Sequence, residues 1–333
     1  MTLLTGYLTV SLTVGALALP AEGDAGESAQ SSFPTEPTVV LNDYKDVVWC
    51  VAFAPDGKSF ATCCGGSDTK AGDLRKYDLK GGKPVQAFLV KEPHGIRWLA
   101  FAPDGKTLAT AEYDGMARIR DAATGKTLTQ FAAHAGGVLC LEYSRDGRRL
   151  ATCGKDHTAK MWDLVPCRLL VTMTGHSNHV YSLGLSADGT TLLTGGNDST
   201  AVLWDAATGE FETKIPRVTR PVEVARFSPD GQFFAVAGWD GVVDIWGTAS
   251  RQRVTILGSP GGGILALAFS PDVKHLAIGT ETGLLRYWDV ATWKQRGTIQ
   301  AHDANLRGIA FSPDGKWMAT ASFDRTVKLW ELP

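Results

Sequence analysis

Charge is scarce in this 333-residue chain: Lys, Arg, Asp and Glu make up 20% of it, and the formal net charge is −2. With no basic stripe to neutralise a phosphate backbone, nucleic acid is excluded as the expected partner. No Cys-x-x-Cys occurs, and His176 and His179 are the only close histidines, too few for zinc; no metal and no cofactor is expected. There is no G-x-S-x-G nucleophile elbow. Beyond residue 21 no segment is apolar enough to span a bilayer. The Gly-Gly-Gly at 261 to 263 has no helix after it to make a phosphate cradle.

What is present is β-rich and periodic. Apolar residues make up 44% of the chain, enough for a large core, and 37 glycines against 15 prolines suit an architecture of tight turns. Tyr77-Asp78, Arg120-Asp121, Trp162-Asp163, Trp204-Asp205, Trp246-Gly247, Trp288-Asp289 and Trp330-Glu331 recur at a first step of 43 residues and then steps of 42. The turn positions Gly57, Gly105, Gly147, Gly189, Gly231, Val273 and Gly315 step by 48 and then by 42. Two markers on one period mean one structural unit copied seven times.

The N-terminus stands apart. Residues 1–21 carry no charged side chain and are apolar from Leu3 to Leu19, and the small-residue patterns at Ala16-Leu17-Ala18 and Leu19-Pro20-Ala21 suit signal cleavage. No Lys or Arg precedes the run, and its length also suits an uncleaved anchor. Residues 22–36 read as a polar, Ser-rich linker. The expected location is exported, either periplasmic or membrane-tethered, with membrane contact only through an uncleaved leader; a cytoplasmic tail is the alternative.

Within residues 134 to 175, apolar Val138 to Tyr143 leads to a turn at Ser144 to Gly147, then Arg149 to Cys153, a second turn at Gly154 to His157, Thr158 to Trp162, and Leu169 to Thr172. This spacing predicts a four-stranded antiparallel meander. Most copies are apolar on both sheet faces, as in Ile264 to Phe269, so each sheet needs a neighbour on either side.

The AFAPDG and FSPDG turns, the Leu-Ala-Thr tripeptides, the second-turn aspartates and the Trp-Asp ends resemble the WD-repeat β-propeller family in a bacterial-type array, over residues 36 to 333. The resemblance implies an all-β, seven-bladed propeller over residues 37–333. The chain stops after the third strand of repeat seven, and Pro37 to Leu41 is expected to supply the fourth and close the ring.

The family's structural tetrad joins a His before strand one, a hydroxyl on strand two, the second-turn Asp and the Trp of strand three. It is complete in His134, Thr152, Asp156, Trp162; in His176, Thr194, Asp198, Trp204; and in His302, Thr320, Asp324, Trp330. Repeat two keeps Thr110 and Asp114 but has Arg120 for Trp and a displaced His94, repeat five has Val236, and repeat six has Ile278 and Thr282. Those blades are expected to rest on packing more than on polar networks. A Thr, His and Asp together also suggest a catalytic triad. Triplication at the family's structural spacing argues for a structural role.

Cys50 with Cys63, and Cys140 with Cys153, are expected to face each other across adjacent strands as small packed side chains. The resemblance places a variable top face at two positions per blade. The strand-one position holds Trp49, Arg97, Leu139, Tyr181, Glu223, Leu265 and Arg307, and the second-turn position holds Tyr113, Lys155, Asn197, Trp239, Glu281 and Phe323. Aromatics and Arg are the types enriched at binding hot spots. A Gly-rich insertion, Cys64 to Asp73, is either a lip on that face or a tolerated loop. The expected function is a non-enzymatic scaffold for a protein or peptide, and the alternative is a propeller hydrolase or small-ligand binder in the axial channel.

Overall fold

Seven four-stranded antiparallel sheets form a ring in the computed structural model, which describes residues 33–66, 70–215, 220–258 and 262–333. The leader, the linker up to residue 32, the tip of the first-repeat insertion and Gly261 lie outside the described residues. The inner strands are Val48–Phe53, Ile96–Phe101, Val138–Tyr143, Val180–Leu185, Val222–Phe227, Ile264–Phe269 and Leu306–Phe311, each packed against the next blade's inner strand and the seventh against the first. Buried apolar clusters fill the spaces between blades, such as the one joining Ala151, Met161, Leu183, Leu192 and Trp204.

In blade 3 the inner strand is followed by Arg149–Gly154, Thr158–Leu164 and Cys167–Thr174. The outer strand extends two residues past each end of the apolar segment Leu169 to Thr172. Its backbone keeps pairing with Thr158–Leu164 to the last residue, so ladder hydrogen bonds and not side-chain polarity set its length. Many of the hairpins are held by an aspartate. Asp146 accepts from Ser144 Oγ (2.6 Å) and the Arg148 N–H (3.0 Å), while Asp205 accepts from the Thr208 N–H (2.7 Å) and hydroxyl (3.0 Å). The turn glycines adopt positive φ, and Val273 takes the same left-handed conformation at φ 57°.

Blade 7 takes its outer strand from the N-terminal side. Val39–Leu41 pairs antiparallel with Val327–Glu331, and Thr38 clamps the join by donating its N–H to the Leu329 carbonyl (2.8 Å) and accepting the Glu331 N–H on its hydroxyl (3.1 Å). Phe33 belongs to this packed body although its surroundings in sequence are polar. It is buried with its ring 4.3 Å from Tyr287.

Candidate functional site: a bulge-lined funnel at one end of the ring

Three blades contain the same polar relay. The His134 ring nitrogens lie 2.7 Å from Asp156 and 2.8 Å from Thr152 Oγ1, which also accepts the Trp162 Nε1–H at 2.9 Å. His176 and His302 repeat it with Thr194 and Trp204 (2.8 and 2.8 Å) and with Thr320 and Trp330 (2.7 and 3.0 Å), and their Nδ1 atoms each lie 2.9 Å from Asp198 and Asp324. A neutral His with its proton on Nδ1 satisfies every atom: it donates to the Asp and accepts the Thr hydroxyl on Nε2. Each Thr is fully buried and committed to two partners, so its oxygen is no nucleophile. Glycine is required beside the ring, since a Cβ on Gly196 would lie 2.7 Å from His176 Nδ1.

Burial pushes His134 and His302 below the ordinary histidine pKa. Burial alone would raise Asp156, Asp198 and Asp324, but hydrogen bonds from the histidines and neighbouring threonines outweigh it and hold all three well below the carboxylate range. In both cases the unfolded chain takes up protons that the fold resists, so stability falls as pH falls. Thermal unfolding midpoints are expected to decline below about pH 6.5 and more steeply below about pH 4. A flat profile from pH 8 to 4 at constant ionic strength would contradict this.

The incomplete blades divide. In blades 5 and 6 the Nε1 atoms of Trp246 and Trp288 are buried with no hydrogen-bond partner, and packing holds those indoles. Blade 2 overturns the packing expectation. Arg120, 1% exposed, donates to Thr110 (3.2 Å), Thr127 (3.1 Å), Glu92 (2.6 Å) and Glu112 (2.9 Å). Glu112 also accepts from Thr110 (2.8 Å) and Arg118, and Arg118 donates to Asp114 (2.8 Å). An ionic network replaces the Trp tetrad because a guanidinium buried in the Trp slot must be paired. Arg118 and Arg120, two residues apart on one strand face with Glu112 nearby, were the sequence signal that could have shown it. Blade 1 uses phenols instead, with Tyr44 Oη 2.8 Å from Thr62 Oγ1 and donating to Tyr77 at 3.3 Å.

The top-face side chains have a common structural cause. In every blade the inner strand's register slips at its second residue: Val48 and Cys50 pair with consecutive residues Cys64 and Cys63, leaving Trp49 bulged, and the same slip isolates Arg97, Leu139, Tyr181, Glu223, Leu265 and Arg307. A bulge re-aims one side chain without breaking the sheet. Trp49, Arg97, Leu139, Tyr181, Glu223 and Arg307 thereby line one cavity of about 580 Å³, together with Tyr113, Lys155 and Trp239 from the second turns and with Gly66 and His179.

Phe323 stands behind the wall with its ring edge-on to Trp49 at 4.6 Å, and Tyr113 lies 6.4 Å from the same indole. Tyr113, Trp239 and Phe323 are half-buried. Asn197 and Glu281 do not line the cavity; their backbone N–H groups bond the His179 and Gly263 carbonyls. The base of the insertion does shape this end, since the Gly65 carbonyl accepts the Trp49 Nε1–H at 2.7 Å. His179, two residues before Tyr181, entered no top-face expectation because it lies outside both repeating positions. Its ring is 5.7 Å from His157, and burial with the His157 and Lys155 charges holds its pKa down.

Below the bulges the axis narrows to a cavity of about 60 Å³ bordered by Cys50, Trp98, Cys140 and Arg226. Arg226 lies over the Trp98 ring at 4.8 Å, donates to the Leu183 carbonyl and sits 3.8 Å from Cys140 Sγ. Cys50 and Cys140 do face Cys63 and Cys153 across the strands, all four as buried free thiols. The Cys153 hydrogen bond and the Arg226 charge draw the Cys140 thiol down against the effect of burial. Among the described residues no three His, Cys, Asp or Glu side chains are grouped to share a metal ion.

Residues 95–331 match the family described as IFT122 first beta-propeller, and residues 35–70 match the one described as WD domain, G-beta repeat. No curated protein matches the chain. The first match covers more than two thirds of the sequence and the ring has seven blades, so the chain belongs to the WD-repeat β-propellers, in the family of the IFT122 first propeller.

Proposed function

We propose that the protein is a non-enzymatic scaffold whose funnel end binds a protein or peptide partner. WD-repeat propellers are commonly protein-interaction scaffolds and generally not catalysts. The observation that carries the reading is the row of bulges: the frame repeats from blade to blade, yet the residue presented varies, as Trp, Arg, Leu, Tyr, Glu, Leu and Arg in chain order. Packing explains repetition, whereas a lining of unlike aromatic and cationic groups suits recognition of an asymmetric partner. The frame is rigid and the anchors are already positioned, so the propeller loses little entropy on binding. The axial-channel alternative needs room and convergent groups; a 60 Å³ space holds a few waters, and the Arg226 beside it is already engaged. The apolar run from Leu3 to Leu19 supports an exported setting, periplasmic or membrane-tethered.

A photo-crosslinking residue at His179, in the funnel, is expected to capture a partner in cells, whereas one at exposed Pro229, in a turn at the opposite end, is not. Conjugates formed only from position 229 would refute the funnel as the binding face.

A further inference from the structure

Two arginines of the funnel converge on one acid. Arg97 and Arg307 line the funnel, and among the described residues Glu223 is the only carboxylate that does. Glu223 is heavily subscribed: it accepts from Arg307 Nη1 at 3.0 Å and from Trp239 Nε1 at 2.7 Å, with Arg97 Nη2 at 3.8 Å. The two guanidinium side chains are each only 10% exposed, and Glu223 is 6% exposed. Two arginines therefore share one acid in a poorly solvated place, where like charges repel strongly and a buried cation needs its own partner. Burial, together with the charge of Arg97, lowers the pKa of Arg307.

The hydrogen bonds are also incomplete. Arg307 Nε is buried with no partner, and among the described residues the Arg97 guanidinium has only the long ion pair to Glu223. What holds these groups in place is aromatic. Arg97 lies over the Trp49 ring at 4.2 Å, and Arg307 lies 5.3 Å from Trp49 and 4.9 Å from Phe323. Ring faces orient a guanidinium without using its N–H donors, which remain available to a planar anion. The Lys155 ammonium is placed similarly, 4.9 Å from the Tyr113 ring. Histidine adds no charge to the count near neutrality, since His179 is held below its ordinary pKa.

We propose that the funnel is a carboxylate receptor: the partner inserts one carboxylate of an acidic peptide segment between Arg97 and Arg307, with Trp49 and Trp239 against its flanking apolar atoms. This rests on the funnel being the binding face and names the chemistry of what enters. The incoming carboxylate supplies the second anion that two arginines require, and its two oxygens match a guanidinium fork. Glu223 competes with the ligand for the same donors. Its neutralisation should therefore strengthen binding, an effect that a merely structural role for Glu223 would not produce.

The test uses fluorescence anisotropy with three labelled eight-residue probes. One is blocked at both ends with a central Asp-Glu pair, one carries Asn-Gln there, and one has no acidic side chain but a free C-terminal carboxylate. The intact chain is expected to bind the first at least about tenfold more tightly than the Asn-Gln probe, and more tightly than the third, whose carboxylate is C-terminal. Affinity should fall steeply between 20 and 300 mM salt. Arg97→Gln should lose about tenfold or more, and Glu223→Gln should gain severalfold, with thermal melts verifying that each variant is folded.

Equal binding of all three probes, a preference for the third over the first, or no binding of the first at millimolar concentration overturns the inference. So does a folded Glu223→Gln protein that binds the acidic probe no more tightly than the parent. If crosslinks still form at position 179 in that case, the funnel remains the binding face and only the carboxylate assignment fails.

Discussion

Arg120→Ala is expected to cost about 3–5 kcal/mol of folding stability, read as a shift in the urea midpoint at unchanged slope. The substitution empties a fully buried slot and strands acids whose charges Arg120 offsets. Glu112, completely buried, keeps only Arg118 and Thr110, and Glu92 loses its 2.6 Å partner. Arg120→Lys should recover little, because one ammonium does not reproduce a fork that reaches Thr110, Thr127, Glu92 and Glu112 together. The informative rescue is Arg120→Trp combined with Glu112→Ser, which copies the residues that blade 7 has at Trp330 and Ser322. It should regain most of the loss, since an apolar slot with one satisfied hydrogen bond replaces a buried ionic cluster. If Arg120→Ala unfolds at the parent's midpoint, the network contributes nothing to blade 2.

Trp204→Ala should be comparably damaging, by about 3–5 kcal/mol. The indole is 2% exposed and touches the ring of His176 and the outer-strand Phe211, with ring centroids 6.3 and 6.0 Å away. Trp204→Phe separates the contributions: most of the ring is kept, and the bond to Thr194 is lost together with part of the volume, for about 1–2 kcal/mol. The control is Trp246→Phe in blade 5. That indole nitrogen is buried without a partner, so its removal relieves an unmet donor while shrinking the ring, and the net change should lie within about 1 kcal/mol of zero. Equal losses for the two Phe variants would mean that the tetrad bond adds nothing to packing.

The two slots also mark how far reading the repeats can go. A Trp at its expected position in blade 5 carries the same letter as Trp204, yet its polar environment is absent because Val236 replaces the hydroxyl. That absence was legible, since it needed only the residue at one aligned position. The replacement in blade 2 was legible only in part, through Arg118, Arg120 and Glu112. Thr127 lies directly across from Arg120 in the same hairpin, but Glu92 reaches it from another blade's outer strand, and no period connects Glu92 to Arg120. The same limit left His179 out of the funnel and placed Phe33 in a linker, since each is positioned by a neighbour distant in sequence.

The sequence by itself determined the architecture: the number of blades, the strand order within each, the turns, and the closure of the last blade by the segment at Val39–Leu41. Those properties are local and repeated, so seven copies of one pattern average out the irregularity of any single copy. Only the tertiary structure decided which side chains meet at the axis. The seven bulges shift the inner-strand register by one residue, and a one-residue shift in a period-two strand reverses which way a side chain points, a change that leaves no mark in residue spacing. Closing the ring then brings Arg97, Glu223 and Arg307 together from blades 2, 5 and 7, where their unequal charge becomes a property of the funnel that no one repeat contains.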